Sequence, residues 1–156
     1  MRRVTARPPQ SIGELCLVRL GVQSRSLSAW WLARGLRRQI EAASREAIRQ
    51  NAGLLCSEFV RFDRHHFGFI QYWKSFEAME AWSRRPPHSD WWRDAVERMR
   101  AKRDLGVYHE TYIVRRDDIE SIYMECPPTG LATFGEQGEP IGPMTTARGR
   151  LGRSRN

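Results

Sequence analysis

Histidine and cysteine are scarce in this chain, and no stretch of it is continuously apolar. Four histidines and three cysteines occur in 156 residues. Cys16, Cys56 and Cys126 are odd in number and show no CxxC spacing, so they point to neither a disulfide framework nor a redox motif. They read as reduced thiols in or near a core, as suits a cytosolic protein, and no feature nearby marks a lowered thiol pKa. No run approaches the roughly 18 to 20 apolar residues of a membrane helix. The opening MRRVTARPPQ is basic but lacks the apolar stretch of a signal peptide. The expectation is a cytoplasmic protein with no membrane partner.

What is present is a globular composition, 40% hydrophobic with six tryptophans, in a length that suits one domain with a buried core. The net charge of +8 is unevenly spread. Arg2, Arg3 and Arg7 lie near the start, and Arg148, Arg150, Arg153 and Arg155 in the last nine residues; without these seven the charge falls to about +1. Basic tails of this kind aid solubility or bind anionic surfaces weakly. With no recognition motif in the body, specific nucleic-acid binding is not expected.

Taken in order, residues 1–12 carry Pro8 and Pro9 without periodicity and read as a disordered basic tail. Residues 14–23 place Leu15, Leu17 and Val18 near alternation, a strand. Ser26 or Ser28 can cap a helix over 29–50, where Leu32, Leu36, Ile40, Ala43 and Ala47 form one apolar face. Asn51-Ala52-Gly53 ends it. Residues 54–62 and 67–73 read as a hairpin around a polar turn, Asp63 to His66; His65 and His66 are taken as turn residues. Ser75 caps a short helix over 76–84, stopped by Pro86-Pro87. Ser89 or Asp90 caps a helix over 91–103 with Trp92, Val96 and Met99 as its apolar stripe. A strand over 107–114 and a short helix over 117–124 follow, then a rigid closing loop, Cys126 to Leu131. Residues 136–156 read as a flexible basic tail.

The order β, α, β, β, α, β over residues 13–135 is the α+β, ferredoxin-like split βαβ pattern, an antiparallel four-stranded sheet with helices on one face. Phe, Tyr, Val and Ile in these strands make the other face too apolar for water. A second copy is the simplest cover, so a homodimer is expected.

Residues 86–112 concentrate the candidate chemistry. His88 stands at the start of a helix, where it would project into the groove between helix and sheet. In the following strand His109 shares a face with Val107 and Thr111, and Glu110 shares the other with Tyr108 and Tyr112. Each has a structural reading beside the functional one. His88 serves as a capping residue, or His109 as a satisfied core histidine; Glu110 pairs with an arginine. Tyr72, Tyr108 and Tyr112 pack with bonded hydroxyls or orient a substrate. Trp30, Trp31, Trp91 and Trp92 fill core or dimer interface, or stack on a substrate.

Gln71-Tyr72-Trp73-Lys74-Ser75-Phe76-Glu77, His88, Gly106-Val107-Tyr108-His109-Glu110-Thr111-Tyr112, Ile122-Tyr123 and Pro127-Pro128-Thr129-Gly130-Leu131 together resemble a monooxygenase-like family of dimeric α+β barrels, one member of which belongs to the fumagillin pathway. The likeness covers residues 14–135. It implies a small enzyme of specialised metabolism acting on a hydrophobic small molecule, with haem or with no cofactor. A second resemblance is to the C-terminal half of haem-dependent aldoxime dehydratases, longer chains with two such domains. It rests on His88, His109-Glu110, Tyr123, Cys126 and Thr129-Gly130-Leu131, with the two histidines 21 residues apart, a similar spacing. By that resemblance His88 would ligate the iron of haem b and His109 would be the distal acid/base; Glu110 and Tyr112 join it as catalytic candidates, and Tyr72, Tyr108 and Trp92 as substrate contacts. Haem needs an apolar slot with an imidazole on one side of the iron and an open position on the other. Haem lyase chemistry on an N–O bond and a non-catalytic binding module are the alternatives.

Overall fold

The computed structural model describes residues 1–86 and 88–152; Pro87, residues 153–156 and the side chain of Trp91 lie outside the described residues. Strand β1 is Arg3–Arg7 and β2 is Glu14–Ser24; helix α1 is Leu27–Arg49; β3 is Leu54–Arg61 and β4 is His66–Trp73. Helix α2 is Phe76–Ser83, α3 is His88–Ala101, and β5 is Leu105–Arg115. Two short strands, β6 (Tyr123–Met124) and β7 (Glu136–Gly138), and a terminal helical turn α4 (Ala147–Arg150) complete the order.

The main sheet is antiparallel with strand order β3-β4-β2-β5, the ferredoxin-like arrangement, and it carries α1, α2 and α3 on one face. Strand β2 is paired along both edges, from Glu14↔Arg115 to Ser24↔Leu105 with β5 and from Cys16↔Trp73 to Gln23↔His66 with β4. Alternation then sends Cys16, Val18 and Val22 to the helices, where they are almost fully buried. Cys16 and Val18 meet Ala47, Leu54, Trp73 and Trp82; Val22 meets Ala29, Ala33, Leu36, Ala95 and Leu105.

Helix α1 begins where Ser26 caps it, its side chain accepting the Ala29 amide hydrogen at 3.1 Å. Its buried face is Ala29, Ala33, Leu36, Ile40, Ser44 and Ala47, which keeps Leu36, Ile40 and Ala47 of the expected stripe and has Ala33 and Ser44 in place of Leu32 and Ala43. Asn51 and Gly53 both adopt left-handed backbone after it, at φ 52° and 103°. Ser75 caps α2 through the Ala78 amide. Among the described side chains of α3 the buried one is Ala95, not Val96.

Several expected boundaries fail. The first twelve residues are not a disordered tail, because β1 pairs with β6 through Arg3↔Met124 and with β7 through Thr5↔Gly138. Residues 117–124 do not form a helix: a 3-10 turn, Arg116–Asp118, is followed by β6. Residues 136–152 are folded rather than a flexible tail. Arg150 is 5% exposed and its Nε donates to Glu120 at 2.7 Å and its guanidinium to the Met144 carbonyl at 3.1 Å. Ala6, with Ile12, Ile119 and Tyr123 beside it, joins Leu15, Leu131 and Ala132 in a cluster on the sheet face opposite the helices. His66 is the first residue of β4 rather than a turn residue. Trp31 and Trp92 are exposed rather than core residues.

On the same opposite face Tyr108 lies across Gly21, whose lack of a Cβ leaves room for the phenol ring. A methyl group at residue 21 would overlap the Tyr108 hydroxyl. Gly21→Ala is expected to displace that ring and destabilise the fold by ~1–3 kcal/mol, read from urea unfolding.

Candidate active site

A cavity of about 450 Å³ opens between the sheet and the helices. Its floor is Val18, Leu20 and Val22 of β2, Gln71 and Trp73 of β4, and Val107, His109 and Thr111 of β5. Helix α1 adds Leu36, Ile40 and Ser44, α2 adds Met79, Trp82 and Ser83, and α3 adds His88, Trp92 and Ala95. The lining is mainly apolar, and two sets of polar groups stand in it.

One set is the histidine pair. His88 opens α3, and its Nδ1 lies 3.0 Å from the Ser83 carbonyl at the end of α2. A carbonyl can only accept, so Nδ1 carries the hydrogen and Nε2 the lone pair. Burial pushes the His88 pKa below its usual value, the Ser83 carbonyl opposes this, and the charge of His109 lowers it further. His109 stands on β5 opposite Leu20 and is more open to solvent, yet desolvation lowers its pKa too. Desolvation, the largest cause in each case, holds both imidazoles toward the neutral, proton-accepting form.

The second set is a polar cluster against α1. The buried Gln71 amide donates to Ser44 Oγ at 3.0 Å, Ser57 Oγ donates to the same oxygen at 3.2 Å, and Gln71 Oε1 accepts from Trp73 Nε1 at 3.2 Å. In a mostly apolar cavity such groups fix the orientation of a bound molecule. Neither Gln71 nor Ser44 stands out in the sequence, although a glutamine inside the apolar run HFGFIQYW is the one signal that could have found it.

Of the remaining candidates, Trp92 and the Tyr108 segment of β5 border the cavity, and the others lie across the sheet. Trp92 lines the cavity at its rim, 43% exposed. Tyr108, Glu110 and Tyr112 project their side chains from the opposite face of the sheet, so the strand separates them from His109. Glu110 accepts from Arg19 at 2.9 Å and from Tyr112 at 3.0 Å, and the Arg19 bond chiefly holds its carboxyl below the usual carboxylate range. Tyr108 lies 3.1 Å from His66 Nε2 and under the Arg19 guanidinium. Tyr72 is also on that side, packed against Phe134 and beside Gly130, where burial raises its pKa to about 12. The closing loop is held there by Glu58, which accepts from the Gly130 amide at 2.7 Å and from Thr129. Gly130 takes φ 53°. Thus Thr129-Gly130-Leu131 covers the sheet and does not enter the cavity. Cys16 is buried, with its thiol pushed up to about 11, which disfavours the nucleophilic thiolate. Among the described residues no three potential ligands cluster to hold a metal ion, and no helix is long and apolar enough to cross a membrane.

The cavity fits haem at two of its three parts. His88 offers an imidazole whose tautomer is set by a backbone carbonyl, the usual arrangement behind a metal-bound histidine, and the walls are apolar enough for the macrocycle. No arginine or lysine is among the lining residues, and their one carboxylate, Glu80, pairs with Arg84 at 2.6 Å, so propionates would stand at the mouth in water.

The sheet order and the helices on one face define an α+β protein with a ferredoxin-like antiparallel sheet. Residues 15–131, most of the chain, match the family described as Monooxygenase af470-like, and the chain belongs to it. No curated protein sequence matches the chain. Among solved structures, it is similar to an aldoxime dehydratase, OxdRE, in complex with butyraldoxime, at 20% identity and TM-score 0.74, over 96% of this chain and 42% of that one. A second aldoxime dehydratase matches at 20% identity and TM-score 0.68, over 89% and 39%. The chain therefore spans about two fifths of the length of the dehydratases it matches. SnoaB, a cofactor-independent oxygenase from Streptomyces nogalater, matches at 12% identity and TM-score 0.42, over 66% and 94%.

The histidines predict a pH dependence. Unfolded histidines titrate near 6.5, and both of these are lower in the fold. As pH falls through about 6.5 the unfolded chain takes up protons that the fold resists, so stability present at neutral pH is lost. The unfolding midpoint is expected to drop as the pH is lowered from about 7 to about 5, and to drop less in a His88→Asn, His109→Asn double variant.

Proposed function

We propose that this monooxygenase-like protein is a small enzyme of specialised metabolism that encloses a hydrophobic small molecule between sheet and helices. The observation that carries the reading is the apolar cavity with two depressed-pKa histidines on its wall. A neutral His109 can accept a proton from an acidic O–H or C–H of the bound molecule, and the resulting anion is the electron-rich species that dioxygen attacks. Gln71 and Ser44 hold the polar end of the molecule, while the aliphatic walls exclude water. Glu110, Tyr112, Tyr108 and Tyr72 take no direct part, since they support the sheet from its other side.

A second reading, a haem lyase of the aldoxime dehydratase type, is favoured by one observation, the hydrogen bond from His88 Nδ1 to the Ser83 carbonyl. In that case His88 would hold the iron, the apolar wall would hold the macrocycle, and His109 would donate or accept the proton. Bound haem would supply a Lewis-acidic, redox-active iron to the substrate's N–O group.

The two readings separate in one preparation. The protein is expressed with haem supplied and its absorption spectrum recorded after gel filtration. A Soret band that shifts in His88→Ala, with nitrile formed from butyraldoxime by the ferrous protein, is the outcome of the lyase reading. Without that band, oxygen uptake with an enolisable or phenolic substrate is expected, and His109→Ala should lower it by ~10²-fold or more. If both histidine variants keep full activity, the cavity assignment is wrong.

We further propose that a second copy covers the open sheet face, where Phe62 and Tyr112 are each 48% exposed beside the Arg19–Glu110 pair. Sedimentation should give a dimer mass. Glu110→Arg, which sets two guanidiniums side by side, should shift it to monomer with an unchanged circular dichroism spectrum.

A further inference from the structure

The chain has a second cleft, about 360 Å³, on the β3 side of α1, which the proposed chemistry does not use. Helix α1 supplies Arg34, Arg37 and Arg38 to its wall; the end of β3 and the following turn supply Arg61 and Arg64. Trp30, Phe59 and Phe67 form its aromatic floor. Both lining carboxylates are engaged: Glu41 pairs with Arg37 at 2.7 Å, and Asp63 accepts the His65 amide hydrogen at 2.6 Å. Among the described residues no carboxylate lies within ion-pair distance of Arg34, Arg38, Arg61 or Arg64. Five guanidiniums against two carboxylates leave a local positive excess in a body whose overall charge is close to balanced.

The walls are already in place. Trp30 Nε1 donates to the Arg64 carbonyl at 3.0 Å, which ties the turn to α1, and the Ser24 amide donates to the His65 carbonyl at 2.9 Å, which ties it to β2. The Arg34 guanidinium lies 4.8 Å from the Trp30 ring centre, and that of Arg37 lies 3.7 Å from the centre of Phe59. Stacking on a ring fixes the plane of a guanidinium without using its N–H donors. The helix thus presents two oriented guanidiniums beside aromatic surface that lowers the local dielectric, and the strand end and turn add Arg61 and Arg64, whose Nε donates to His65 Nε2 at 2.8 Å.

We propose that this cleft binds a small phosphate-bearing anion, a ligand separate from the hydrophobic molecule of the histidine cavity. Forked guanidinium donors match phosphate oxygens two at a time, and several of them meet a charge greater than one. The volume suits a small molecule rather than a folded partner.

The test is calorimetric titration of the full chain with inorganic pyrophosphate at low ionic strength, with citrate as the carboxylate comparison. Saturable pyrophosphate binding is expected, tighter than citrate and weakened by added salt. Arg38 and Arg61 are exposed, so an Arg38→Gln, Arg61→Gln double variant should keep the wild-type unfolding midpoint while losing about tenfold or more in pyrophosphate affinity. Absence of saturable pyrophosphate binding, equal affinity in the double variant, or citrate binding as tightly as pyrophosphate would each overturn the proposal.

Discussion

The hydrogen-bond ladders on both edges of β2 are the constraint on which the site depends. Because β2 is paired through eleven residues with β5 and eight with β4, the register of all three strands is set together. A slip of one residue in β5 would turn His109 away from the cavity and carry Glu110 into it. The buried Leu105 and the partly buried Val107 of β5 resist such a slip, since it would carry them out of the helix-side core. The two faces of one sheet thereby acquire different chemistry. One is an apolar floor carrying an imidazole, and the other a network of Arg19, Glu110, Tyr112, Tyr108 and His66.

Much of this was legible because it is local. The alternation through Val107-Tyr108-His109-Glu110-Thr111-Tyr112 assigns faces without any knowledge of the fold, and the ion pair expected for Glu110 is the one it makes with Arg19. Ser26 and Ser75 mark their helices for the same reason, since a cap is an interaction over three residues. What was not legible is non-local. Strand β1 is basic and precedes two prolines, and its partners lie more than a hundred residues away, so no window of sequence contains the pairing. The buried Arg150 looked like one more tail charge, because Glu120 and the Met144 carbonyl meet it only in the folded chain. Ser44 falls on the apolar side of α1 and Gln71 inside an apolar strand, and their mutual hydrogen bond is what makes both burials tolerable.

The family's sequence blocks divide by role once placed in space. His88 and the histidine of HETY reach the cavity, whereas the glutamate and tyrosine of that block, together with the closing PPTGL, work on the other side of the sheet. The glycine of the closing block is required by its positive φ and by the Tyr72 hydroxyl, 3.0 Å from where its Cβ would stand. Resemblance in these blocks therefore reports a shared sheet and its cover as much as a shared reaction. The cavity chemistry rests on fewer residues than the motif count implies.

The bond from His88 Nδ1 to the Ser83 carbonyl also makes the imidazole a joint between α2 and α3. With one nitrogen committed to the backbone of the neighbouring helix, anything that takes the lone pair of the other is felt as a change in the hinge between two walls. A proton taken up by this imidazole would place a charge between the two helices, where burial already disfavours it, so acidity of the medium acts first on the contact that joins them.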